Sequence, residues 1–214
     1  MPFVIAVSGF KNSGKTTLVL ELLGRFIERG LKTGYVKHTC EDIRLSCGKT
    51  DSGKVLAKGS PSVLWSGSSV KMEMKRDKLT VNEVCRLFPG YDIVILEGGK
   101  DVPVPKIWVG LFPSEDHLPP GLLATYNSDG PMIPDWARQF RSEDIEPLCT
   151  YVISLMEKST KGDIEIFDED KEIPVKEFVS DFLSGGIRGM LSALKGVDPE
   201  RGISIFLKAK KHQQ

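Results

Sequence analysis

No run of about 18 residues in this 214-residue chain escapes charge, glycine or proline, so the sequence offers no membrane-spanning helix. Nor is there an excess of either charge: 29 Lys+Arg stand against 29 Asp+Glu. A generic polyanion binder is therefore not expected, and the one basic cluster, Lys208, Lys210, Lys211 and His212, reads as a solvated end rather than a nucleic-acid arm. The four cysteines, Cys40, Cys47, Cys85 and Cys149, form no CxxC pair. A chain of this size needs no covalent staple, which points to free thiols and a cytoplasmic setting. Internal repeats and low-complexity tracts are absent too. The opening MPFVIAVSGFKNSGK lacks a basic n-region and a small-residue cleavage site, and reads as a strand rather than a signal peptide. What remains is an ordinary folded composition, 40% hydrophobic.

Periodicity supplies the architecture. Phe3–Ser8 is a continuous apolar run, as in a parallel strand covered on both faces. Leu18, Val19, Leu22, Leu23, Phe26 and Ile27 then recur at helical spacing until Gly30, and Thr33–Lys37 reads as a second strand. Such a β-α-β unit implies a right-handed crossover. Ser62–Trp65 reads as a strand, and the alternation over Val70–Val81 predicts a hairpin turning at Asp77-Lys78. Thr80-x-x-Glu83 is a capping box. Tyr91–Leu96 is the most apolar strand, Ile107–Leu111 and Leu122–Thr125 are further strands, and a helix follows Ser142. The expected fold is α/β, a doubly wound and mainly parallel sheet over residues 1–158. After Lys158 the composition shifts. A hairpin of Ile164–Phe167 and Ile173–Val175, a helix from Phe178 to Leu194 that Gly185-Gly186 weakens or breaks, and a closing strand Ile203–Leu207 form a small C-terminal ββαβ module over 163–210.

Between the first strand and its helix lies Gly9-x-x-x-x-Gly14-Lys15-Thr16, a complete Walker A pattern in the right context. Its chemistry assigns each position. Gly9, Asn12, Ser13 and Gly14 let the backbone turn its N–H groups toward phosphate oxygens, and the helix start adds the positive end of its dipole. Lys15 brings a cation to the β- and γ-phosphates, Thr16 a hydroxyl for Mg2+, and Thr17 a contact for the α-phosphate. A magnesium site also wants an acid at the carboxyl end of a buried strand. Glu97 meets that requirement and Asp92, at the strand's other end, does not. Gly98-Gly99 lets a terminal phosphate approach the backbone. Lys37, His38 and the downstream Asp42 and Asp51 belong to the same rim and suit phosphate, metal or a second substrate. Cys40 and Cys47 near His38 raise Zn2+, although their spacing fits no familiar knuckle.

At these residues the chain resembles the MobB family, GTP-binding P-loop proteins of molybdopterin-guanine dinucleotide biosynthesis. The resemblance rests on GFKNSGKT (Gly9–Thr16), Lys37-His38-Thr39 with Asp42, Asp51-Ser52, Gly59, Glu97-Gly98 with Lys100, and Pro105-Lys106-Ile107, and it covers residues 1 to about 157. The chain departs from the family pattern at Arg44 and Ser46, at Lys58-Gly59-Ser60 and at Gly99. The resemblance implies GTP and Mg2+ binding, slow hydrolysis, homodimerisation, and support of the partner enzyme that attaches GMP to molybdopterin. On that reading Lys15, Thr16 and Glu97 serve hydrolysis, and Thr16 with Glu97 or Asp51 holds the metal. Asn127-Ser128-Asp129 either reads the guanine base through the Asp129 carboxylate or is a polar turn. Two other readings suit the same residues. One is an ATP-dependent small-molecule kinase or ligase with Lys37, His38 and Asp42 at the acceptor. The other is a metallochaperone-type GTPase carrying its ion on His38, Cys40 and Cys47.

Overall fold

The computed structural model describes residues 1–76, 79–113, 118–128, 133–159, 164, 166–168, 171–198 and 205. The chain enters as β1 (Phe3–Gly9), passes through α1 (Lys15–Glu28) and returns as β2 (Thr33–Lys37). Then come α2 (Asp51–Ala57), β3 (Ser62–Ser66), β4 (Ser69–Glu73), α3 (Val81–Arg86) and β5 (Ile93–Glu97). Three more strands follow, β6 (Lys106–Val109), β7 (Leu122–Tyr126) and β8 (Arg138–Phe140). A short 3-10 turn, Ser142–Asp144, opens α4 (Ile145–Ser159). Beyond it lie β9 (Ile166–Asp168), β10 (Lys171–Ile173) and α5 (Glu177–Ser192).

Six strands make one sheet in the order β2-β5-β1-β6-β7-β8, and every neighbouring pair is parallel. This is the doubly wound arrangement that the apolar runs and intervening helices predict. The alternation within β1 divides the core. Phe3, Ile5 and Val7 pack on one face with Leu18, Leu22 and Phe26 of α1 and Leu148 and Val152 of α4. Val4 and Ala6 pack on the other with Val84 and Cys85 of α3. The strand order reverses after β1: the chain crosses past the place of β5 to β2, then runs back the other way through β5 and over β1 to β6. Such a switch point leaves a crevice at the carboxyl ends of the strands.

The predicted 70–81 hairpin is corrected. β4 pairs backward with β3, in a register that sets Ser66 opposite Ser69. The turn is Gly67-Ser68, and Gly67 takes φ 54, the left-handed conformation a two-residue hairpin turn demands. Asp77-Lys78 lies outside the described residues. Helix α5 runs unbroken through Gly185-Gly186. The C-terminal hairpin pairs Ile166–Asp168 with Lys171–Ile173, a shift of the second strand toward the turn. Of the expected closing strand only Ile205 falls within the described residues, and the basic cluster at 208–212 falls outside them. β8, only three residues long, carried no sequence signal. Among the described residues no helix is long and apolar enough to cross a membrane.

Candidate functional site

The loop Gly9–Thr16 joins the carboxyl end of β1 to α1 at the crevice. A side chain at Gly9 would put a Cβ 2.4 Å from the Val109 carbonyl oxygen, so only glycine lets β1 and β6 close up under the loop. Asn12 takes φ 61, and Gly14, the residue capping α1, takes φ 90. No side chain caps the helix and its first turn holds no acid. Its leading N–H groups are thus left to an outside acceptor. Ser13 Oγ is buried without a hydrogen-bond partner. An uncapped helix start, a left-handed turn and an orphaned hydroxyl suit the loop to a phosphate group.

Glu97 is the hub of the rim. It is 3% exposed at the last position of β5. Strand parity puts it on the same face as Ile93 and Ile95, against α1. Thr16 donates its hydroxyl to Glu97 Oε1 at 3.0 Å, and the Tyr35 hydroxyl donates to Oε2 at 2.9 Å. The Lys37 ammonium stands 3.6 Å from Oε1. These contacts follow from register: Lys37 lies opposite Glu97 and Tyr35 opposite Ile95 in the parallel β2–β5 ladder. Burial, then the hydrogen bond to Glu97 and its charge, push the Tyr35 phenol up to about 12. Lys15 donates to the Phe10 carbonyl. Burial holds its ammonium below the ordinary lysine range, with the charge of Glu97 opposing the shift and those of Lys100 and Lys37 adding to it. Four charged groups, Lys15, Lys37, Lys100 and Glu97, therefore feel one another around the loop.

The β5–β6 connection completes the rim. Gly98 takes φ 94, and a Cβ there would lie 2.5 Å from the His38 carbonyl oxygen. Ser8 donates its hydroxyl to the Gly98 carbonyl, and the Gly98 N–H donates to Val7 O at 2.9 Å. Lys100 places its ammonium 4.3 Å from the centroid of the Phe10 ring and 5.8 Å from that of Trp108. The rings of Phe10 and Trp108 meet edge to face at 5.5 Å.

Not every predicted residue joins this group. Thr17 is exposed on the first turn of α1. His38 is held through its main chain, its N–H donating to Glu97 O at 2.9 Å, and its side chain is exposed. Asp42 is exposed in the irregular stretch after β2. Asp51 is fully exposed on the first turn of α2 and paired with Lys54 at 3.2 Å. Asp92 accepts from the Lys32 N–H at 2.7 Å, at the opposite end of β5 from the site. Cys40 and Cys47 are exposed free thiols, and among the described residues no three His, Cys, Asp or Glu side chains gather to hold a metal ion. Asp129 lies outside the described residues. Its neighbours are at the carboxyl end of β7, where Asn127 takes φ 46 and the buried Ser128 donates its hydroxyl to Trp108 O at 3.3 Å.

Sequence reasoning missed Tyr35 and Trp108 as parts of the rim, and the buried Lys106 beside Trp108 on β6. Tyr35-x-Lys37 on one face of an alternating strand was a usable signal. So was a lysine inside the apolar run Lys-Ile-Trp-Val of β6.

A sequence profile of the family described as molybdopterin guanine dinucleotide synthesis protein B, or MobB, matches residues 4–117, just over half of the chain. The chain belongs to the MobB family. Its place is accordingly in molybdopterin guanine dinucleotide biosynthesis. The MobB-matched segment contains Gly9–Thr16, Lys37–Thr39, Glu97, Gly98 and Lys100, and it ends before β7 begins. A putative molybdopterin-guanine dinucleotide biosynthesis adapter protein of Methanocaldococcus jannaschii is 26% identical over 238 residues, covering 97% of this chain and 98% of that protein. A probable adapter protein of the same description from Bacillus subtilis is 32% identical over 112 residues, which are 50% of this chain and 64% of its own. The archaeal alignment must therefore run through most of the C-terminal module. The crystal structure of a MobB homolog from Bacillus stearothermophilus superposes with a TM-score of 0.54 at 21% identity, over 72% of this chain and 98% of the other. A MobB crystal structure from B. subtilis gives 0.52 over 71% and 95%. At such identities these MobB structures establish the fold alone.

Proposed function

We propose that this MobB-family protein binds GTP with Mg2+ at the Gly9–Thr16 rim, hydrolyses it slowly, and acts as a homodimeric adapter for the nucleotidyltransferase that joins GMP to molybdopterin. The observation that carries the reading is the bond between Thr16 and Glu97 beneath an uncapped helix start. It pairs the loop hydroxyl with a buried carboxylate where the two can share a divalent cation. The adapter role is supported by the archaeal and bacterial relatives, which are described as adapter proteins of molybdopterin-guanine dinucleotide biosynthesis.

In this reading the loop amides and Ser13 take the phosphate oxygens. Lys15, released from the Phe10 carbonyl, takes the β- and γ-phosphates, and Thr16 and Glu97 hold Mg2+. The ion supplies charge neutralisation at the β- and γ-oxygens when bound. Lys37 keeps the Glu97 carboxylate paired until a cation replaces it, and Tyr35 orients the second carboxylate oxygen. Thr17, His38, Asp42 and Gly98 line the approach to the polyphosphate, Lys100 adds charge beside it, and Asp129 reads guanine. Asp51 is a weaker metal ligand than Glu97, being solvated and already paired with Lys54.

Calorimetric titration with GTP, ATP and GDP, with and without Mg2+, tests the proposal. GTP binding that requires Mg2+ and is lost in Lys15→Ala is expected. Absence of nucleotide binding refutes it, and an equal or greater affinity for ATP removes the guanine-specific part.

A further inference from the structure

Among the described residues Lys106 is the largest fully buried polar side chain. It is 0% exposed in the middle of the sheet, with Ala6 opposite it on β1 and Leu122 on β7. Burial lowers its pKa to about 8, with the charge of Asp101 pulling the other way. Burying an ammonium costs several kcal/mol more than burying a methionine of similar shape, so sheet stability does not account for a lysine here. What it does is bind the β5–β6 loop. Its ammonium donates to the carbonyls of Lys100 and of Val102, the latter at 3.1 Å. The loop's other ties lie at its two ends and within it: Gly98 to Val7 and Ser8, Val102 to Gly99, Val104 to Val102, and Pro105 O to the Ala6 N–H. Trp108 lies two residues further along β6, hence on the same face of the strand. Together with Phe10 of the phosphate loop, it receives the Lys100 side chain. One strand face thus holds Lys100 twice, by its main chain at Lys106 and by its ammonium at Trp108 and Phe10.

We propose that Lys106 is a positioning residue of the nucleotide site, locking the β5–β6 loop so that the Lys100 ammonium stands over Phe10 within reach of a bound polyphosphate. The inference rests on the nucleotide reading above. It assigns to Lys106 no contact with the nucleotide: its effect passes through Lys100. Lys37 sits on β2, on the far side of β5, and owes its place to register rather than to this loop.

The test is a set of double-mutant cycles read by calorimetric titration of the full chain with Mg-GTP. Lys100→Ala and Lys106→Met should each weaken binding by roughly tenfold, the size of one charge-assisted hydrogen bond. The double variant should be no weaker than Lys100→Ala alone, whereas Lys106→Met and Lys37→Ala should multiply. A purely structural loss at Lys106 would multiply with both, and that result overturns the proposal. So does an unchanged affinity in a folded Lys106→Met. Should that variant fail to fold, the same cycles are run with Lys106→Gln, which also lacks the ammonium, and are judged by the same outcomes. Lys15→Ala distinguishes the two levels: if it leaves Mg-GTP binding intact, the nucleotide reading fails, and the role of Lys106 with it.

Discussion

Helices α1 and α5 have similar lengths and similar apolar striping, yet they end in opposite states. Helix α1 buries Leu18, Val19, Leu22 and Phe26 against β1 and α4. Helix α5 buries Ser180 and Ser184 and leaves Phe178, Phe182 and Met190 between 71% and 79% exposed. Periodicity states which face of a helix is apolar but not what lies against it. The α1 stripe faces a sheet built by six strands. The two-stranded β9–β10 sheet is too small to cover a comparable face.

The largest expected effect comes from attacking the buried side of this contrast. Phe26 is 0% exposed and packs within the same cluster as Ile5, Ile95 and Leu148. Phe26→Ala should destabilise the protein by about 3–5 kcal/mol through lost transfer energy and the cavity left behind. Urea unfolding followed by circular dichroism measures this, and a loss below about 1 kcal/mol would mean that the α1 interface is far looser than its burial implies.

Next in size is a functional effect confined to the same domain. Lys15→Ala removes the loop cation that opens α1 and should reduce nucleotide affinity by on the order of a hundredfold, the upper range for a charged hydrogen bond. The fold should stay intact, because Lys15 makes its contact at the protein surface with the Phe10 carbonyl. Removing residues 160–214 should leave the affinity unchanged, since among the described residues none of the rim comes from that segment. Calorimetry on both proteins decides whether the two regions are separable in function.

The legible part of the molecule was the part in which local chemistry and global packing agree. Phe3–Ser8, Gly9–Thr16 and Glu97 could be read because an apolar strand, a glycine-rich turn and a terminal acid each occur where the parallel sheet needs them. The partners of Glu97 were harder. Thr16 is 81 residues away and Tyr35 62 residues away; the β1–β5 pairing brings the start of α1 to Glu97, and the β2–β5 register brings Tyr35. The hairpin was misread because Val70 and Met72 show an alternating strand without naming its partner. Gly67, which does name it, was overlooked. Lys106 enters the sequence reading only within Pro105-Lys106-Ile107, just before the expected strand Ile107–Leu111, and its burial shows only with both neighbours, β1 and β7, in place.

A smaller effect separates a buried charge from the apolar core around it. An unfolded lysine titrates near 10.5, and Lys106 in the folded protein titrates at about 8. Below pH 8 both states carry the proton. Between those values the unfolded chain binds more protons than the folded one, so stability rises with pH through that window. Lys106→Met lacks this contribution. The difference in unfolding free energy between wild type and variant should therefore shift in favour of wild type from pH 8 to pH 10, and parallel pH profiles would show that Lys106 is better solvated than its burial indicates.

The least effect is expected on the uncovered face of α5, and it probes the contrast most directly. Phe178 and Phe182 stack on each other at 6.5 Å between centroids while both remain largely in solvent. Phe182→Ser gives up that exposed pair and almost no buried area, so it should change stability by no more than about 0.5–1 kcal/mol. The same unfolding assay, run at two protein concentrations tenfold apart, makes the result informative in either direction. An effect within that bound at both concentrations means that the apolar stripe is solvated. A loss approaching that of Phe26→Ala and growing with concentration means that a second copy covers the stripe in solution, in which case α1 and α5 differ only in whether the covering surface belongs to the same chain.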